Sequence, residues 1–139
     1  MTDRQVVVGE DGRAKAYRPL PDADRVAAVV AGLEAYDAGD FFEAHELMEP
    51  AWMGTADLKE RNLIQGLIKV AAADVHGVRG NPAGIRRNLE GARDRLRSGA
   101  SGAITGVYVD VESLLAAIDA RLSGATRLGT PIAIGWRRR

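Results

Sequence analysis

The chain holds two histidines, His45 and His76, and no cysteine. An imidazole can bind a metal, move a proton or donate to an anion near neutral pH. In His45-Glu46-Leu47-Met48-Glu49 a carboxylate follows the first imidazole by four residues. On a helix that spacing sets Glu49 one turn from His45 on a shared inward face, while Glu46 turns outward. Gln65 precedes the second imidazole by eleven residues, which returns the two side chains to within about 20° of each other on a helix. Lys69 lies between them on that side. If consecutive helices carry these residues and pack antiparallel, His45 approaches His76, and Glu49 falls between the levels of His76 and Gln65.

Two imidazoles and one carboxylate are the ligand types of a mononuclear zinc or non-haem iron(II) site. His45, Glu49 and His76 are therefore candidate ligands for Zn or Fe in a hydrolase or oxygenase. The competing expectation needs no cofactor. There the same side chains form a buried hydrogen-bond network that satisfies itself and fixes helix register. The network is the leading expectation, because buried polar groups are as a rule paired without being catalytic. Position five of the His45 motif is glutamate, whereas zincins place histidine there. The paired Glu-x-x-His sets of di-iron bundles are also missing. A third expectation is a small-ligand groove lined by Tyr36, Phe42, Trp52 and Arg86.

Two further groups stand out. Asp74 projects among Leu63, Leu67 and Val70. A buried carboxylate needs a cation or a donor, and an arginine salt bridge is the expected answer. Arg86, Arg93 and Arg97 align along one helix, with Arg79, Arg87 and Arg95 nearby, but Glu90 and Asp94 interrupt the row. That pattern predicts a solvated, salt-bridged face and no nucleic-acid partner.

These side chains must be carried by helices. Val26, Val29, Val30 and Leu33 form one apolar stripe over a helix at about 22–38, which Gly39 ends. Asp40 with Glu43, and Asp57 with Glu60, read as capping boxes opening the second and third helices. The second runs to about Trp52, with Pro50 predicting a kink or an early end. The third runs to about Val78 and is apolar over more than half of its circumference, so it is the central one. Gly80-Asn81-Pro82 ends it and starts the fourth, which runs to about Ser98. A small-residue loop, Gly99 to Gly106, precedes a fifth helix from about Asp110 to Leu122.

The predicted fold is all-α: a five-helix antiparallel bundle, two helical hairpins plus one helix, over residues 22–124. Residues 1–21 form an irregular N-terminal arm or a short hairpin. Residues 125–139 form a tail whose apolar part packs back before its three arginines fray.

The chain has 139 residues, 46% of them apolar and 27% charged, the composition of one globular domain. Nineteen basic residues balance nineteen acidic ones, so no global field steers it to nucleic acid or anionic lipid. Without cysteine, disulfides, thiolate nucleophiles and iron–sulfur clusters are excluded. Neither a secretory leader nor a membrane-length apolar run is present, so the expectation is a cytoplasmic protein with no membrane partner. A helical scaffold or binding module results, with a homo-oligomer among its expected forms.

The residues from Ala38 to Glu49, then Trp52, then Gln65 to Ala72, then His76, then Gly80 to Gly84, occur in that order. In combination they resemble the prokaryotic family known as domain of unknown function 309, over about residues 26–122. The resemblance implies a small all-α bundle and no established reaction, ligand or partner. It also implies a polar signature at His45, Glu46, Glu49, Gln65, His76 and Asn81. Pro50 and Asp74 depart from the pattern, the first where the helix usually continues and the second where an apolar residue is expected.

Overall fold

The computed structural model describes residues 6–8 and 14–139. Strands β1 (Val6–Val8) and β2 (Ala14–Ala16) pair antiparallel, with Val7 opposite Lys15. The glycine turn expected between them lies outside the described residues. Five helices follow: α1 (Asp22–Asp37), α2 (Phe41–Met53), α3 (Leu58–Val78), α4 (Pro82–Gly99) and α5 (Val111–Ser123). The first four form two antiparallel hairpins, and α3 shares its largest interface with α4. Short links dictate that arrangement. The core centres on Leu33, Met48, Ile64, Leu67, Leu89, Leu96, Leu114 and Ile118. Helix α3 is its axis, buried from Leu63 through Ile68. Helices α3 and α4 approach closely at Gly66, where an added Cβ would lie 2.6 Å from Leu96 Cγ. A side chain there would overpack the seam.

The helix junctions correct one expectation. Asp40 precedes α2 but makes no side-chain cap. Its N–H donates instead to the Ala35 carbonyl at 2.9 Å, and Gly39 turns the chain at φ 82°. That closure of α1 takes the donor Glu43 needed for a reciprocal box. The second box forms by half: Asp57 accepts from the Glu60 N–H at 2.8 Å, while the Glu60 carboxylate accepts from the Thr105 N–H at 2.7 Å. Pro50 does not end α2, which continues to Met53. Glu46 and Pro50 are both exposed, so the carbonyl that loses its partner faces solvent.

The tail also differs from expectation. Ile132 and Ile134 are buried in the core, but the arginines do not fray. Strand β3 (Val107–Val109) pairs antiparallel with β4 (Trp136–Arg138), in a register that sets Tyr108 opposite Arg137. The Arg137 guanidinium sits 4.8 Å from the Tyr108 ring centre, a cation–π contact that favours this pairing. Trp136 Nε1 donates to Asp37 at 2.8 Å, tying the strand to the end of α1.

Candidate functional site

The residues of interest lie on α2, α3 and the start of α4. His45 belongs to the first turns of α2, His76 to the last turn of α3, and Asn81 to the cap of α4. Antiparallel packing brings the start of α2 to the end of α3, so both histidines line one groove of about 360 Å³. Phe42, Ala72 and Val75 supply its apolar wall, and Lys69, Arg79, Arg87 and Asn88 its polar one. Phe42 is 57% exposed. Its ring lies nearly parallel to the His45 ring, with centroids 6.4 Å apart and planes at 21°.

The other signature residues distribute differently. Glu46 and Glu49 line a separate depression with Arg18, Leu20, Pro50 and Met53. They nevertheless approach His45, whose Nδ1 is 3.4 Å from a Glu46 carboxylate oxygen. One ligating atom from each of His45, Glu46 and Glu49 falls within 4.8 Å of the other two. A single helical turn therefore gathers one imidazole and two carboxylates, with Glu46 in the position where the spacing argument had put His76. Gln65 is buried on α3 and is not among the residues lining the groove. The ligand groove expected from Tyr36, Phe42, Trp52 and Arg86 does not form. Tyr36 and Trp52 are core residues at 4% and 3% exposure, and Arg86 donates to the Leu122 carbonyl at 3.3 Å.

His76 is held at the junction of α3 and α4. The Asn81 side-chain oxygen accepts from the Gly84 N–H at 3.2 Å, the N-cap of α4. That bond settles which way the amide points, and its nitrogen lies 3.2 Å from His76 Nδ1. The Asn81 N–H also donates to the His76 carbonyl at 2.9 Å. Gly84 lets the ring lie on the α4 backbone: a Cβ there would sit 2.5 Å from His76 Cγ and 2.8 Å from Cε1. Asn88, one turn on, donates to the Gly84 carbonyl at 2.9 Å.

The arginine row on α4 is a salt-bridged face. Arg93 and Arg97 both reach Asp119 of α5, at 3.4 and 3.7 Å. Of the arginines on this helix, Arg87 alone lines the groove. The ionisable side chains lining the groove are basic or imidazoles, with the Glu46 carboxylate 3.4 Å from one of them, His45.

A second polar cluster was legible only in part. Asp74 is buried, but its partner is the Tyr36 hydroxyl, which donates to it, not an arginine fork. The same hydroxyl lies 2.6 Å from the Ile132 carbonyl. Burial raises the Asp74 carboxyl above the ordinary carboxylate range. The Tyr36 hydroxyl, an Ile132 backbone bond and the Arg121 charge oppose that rise. Burial also pushes the Tyr36 phenol upward, reinforced by the neighbouring Asp74 charge. Arg121 is 8% exposed and donates to the carbonyls of Ala117, Thr130 and Pro131 at 2.9, 2.7 and 3.0 Å. Each of its three nitrogens gives one bond to a carbonyl, and it acts on Asp74 through charge. Sequence gave no sign that a tail carbonyl would complete this cluster.

No described helix is long and apolar enough to cross a membrane. Residues 29–88 match the family model described as a domain of unknown function, DUF309. No curated protein and no solved structure gives a significant match.

Proposed function

We propose that this chain, whose residues 29–88 carry the DUF309 domain, is a helical binding module that takes a small organic anion in the groove between α2, α3 and α4. The carrying observation is the lining: two imidazoles, Lys69, Arg79, Arg87 and the Asn88 amide, against Phe42, Ala72 and Val75. Such a mix of a flat apolar wall and convergent donors is the usual anatomy of a small-molecule site. The start of α4 lies beside His76, and the positive end of its dipole favours an anion there. Titration calorimetry with inorganic phosphate, phenyl phosphate and benzoate tests the reading. At least one aromatic anion is expected to bind, more weakly as salt rises. Arg79→Glu with Arg87→Glu is expected to weaken it more than tenfold. No heat from any of the three at millimolar concentration removes the reading.

A divalent metal is the second reading, supported by the His45, Glu46 and Glu49 atoms within 4.8 Å of one another. Zinc at about 2.0–2.1 Å from each ligand would draw them closer and leave a position open for water or substrate. Elemental analysis after zinc reconstitution and gel filtration is expected to give one equivalent, abolished in His45→Ala. Less than a tenth of an equivalent in the wild type rejects it.

A further inference from the structure

We propose that Asn81 and Gly84 are positioning residues that hold His76 in a single tautomer. The groove is thereby shown a fixed Nε2–H, a donor for the oxygen of a phosphate monoester. The ligand class rests on the anion reading of the groove; the state of the ring rests on its own geometry.

The argument begins with the amide. An Asn side chain offers an oxygen that only accepts and a nitrogen that only donates. The Asn81 oxygen is engaged by the Gly84 N–H at 3.2 Å, so its nitrogen is the atom 3.2 Å from His76 Nδ1. A donor facing Nδ1 requires a lone pair there. In the neutral ring the proton must then sit on Nε2, because the bond made by one ring nitrogen sets the state of the other. In this contact the ring occupies the space that Gly84 leaves open over α4. Its Nδ1 and Cε1 atoms are turned to α4, so Nε2 lies on the opposite edge of a ring that forms part of the groove wall.

A fixed N–H in a basic groove calls for an acceptor that carries charge. Phosphate oxygens suit it, since charge-assisted bonds are about twice as strong as neutral ones. Arg79 and Arg87 on the same wall supply the planar donors that phosphoryl groups select. Phe42, exposed and parallel to His45, offers a face to an aromatic ester group. Phenyl phosphate is the smallest probe with both parts.

The test has two arms. Long-range nitrogen–proton spectra of uniformly nitrogen-15-labelled protein, recorded over a pH series that isolates the neutral ring, read the tautomer of His76 directly. A pure Nε2–H pattern is expected. Asn81→Asp keeps the cap on Gly84 but turns a carboxylate oxygen to Nδ1, and is expected to move the ring proton to Nδ1. A mixed pattern in the wild type, or no change in Asn81→Asp, overturns the positioning role. In the second arm, His76→Ala is expected to weaken phenyl phosphate about tenfold, while His76→Gln, which restores an N–H, stays within about threefold of wild type. Equal affinity in His76→Ala overturns the donor role. If the wild type itself ignores phenyl phosphate, the ligand class fails, and the spectra still decide the ring.

Discussion

Arg121→Ala is expected to lower the unfolding free energy by about 3–5 kcal/mol, the largest loss of any single polar substitution in the fold. Its guanidinium makes three bonds to carbonyls inside the protein, from both sides of the turn that leads out of α5. Charge-assisted bonds of this kind contribute roughly 1.5–3 kcal/mol each, and a carbonyl left buried without a donor costs about 1–3 kcal/mol more. Not all of that is realised, because the tail can relax toward water. The relaxation is itself a readout. Hydrogen exchange at residues 130–138 should rise toward the unprotected rate while α3 and α4 stay protected. Urea melts and exchange together check the claim; a loss below 1 kcal/mol with a protected tail contradicts it.

Tyr36→Phe is the second large effect, expected at about 2–3 kcal/mol near neutral pH. The phenyl ring keeps its packing against Phe41, 5.1 Å between centroids. What disappears is the one hydroxyl placed between the Asp74 carboxylate and the Ile132 carbonyl. Asp74 then keeps its Ile132 backbone bond but loses its hydroxyl donor, and the Ile132 carbonyl loses its hydroxyl contact. Protonated Asp74 could supply that donor itself, so the loss should shrink as the solution is acidified. The sign for the wild type agrees. Asp74 is raised in the folded protein above its unfolded value of 3.8, so the native state binds its proton more tightly. The stability arising from that proton is complete below the unfolded value and is lost as pH rises through the raised native one. Asp74→Asn should flatten that part of the stability profile. Chemical denaturation of the three proteins across acid pH measures this; a Tyr36→Phe loss independent of pH would show that Asp74 is not the group left stranded.

The helical frame was legible because its signals are local. Gly39 and Gly80 stand where positive φ is needed, at 82° and 67°, and Asn81-Pro82 marks the start of α4 as its cap and first residue. The apolar stripes of α1 and α3 match the buried sets Val29, Val30, Leu33 and Leu63, Ile64, Leu67. What spacing could not give was anything set by partners distant in the chain. The reciprocal half of the Asp40–Glu43 box failed because the Ala35 carbonyl claimed the Asp40 N–H. Asp74 found Tyr36, 38 residues away, where charge alone suggested arginine. The strand pairing of Val107–Val109 with Trp136–Arg138 joins two three-residue runs too short for alternation to register.

At the candidate site, helical periodicity set His45 and His76 on facing surfaces of consecutive helices, and both line one groove. It did not separate Glu46 and Glu49 from that groove, because Arg18, Pro19 and Leu20 pack along the same flank of α2 and enclose a second depression. Arg79 and Arg87 were seen only as part of a charged row. Their role at the groove follows from where α3 ends and α4 begins. The Asn81 amide was legible as a helix cap, but its second bond, to the ring one turn earlier, needed coordinates.

Ile132 and Ile134 fill the interior only after the chain has passed through all five helices. During synthesis on the ribosome the helices therefore emerge with an apolar slot uncapped and Asp74 without part of its enclosure. The core closes only once the segment 130–138 has cleared the exit tunnel. Messages cut short within those codons would yield chains with native helices and an open seam, marked for chaperones and proteases.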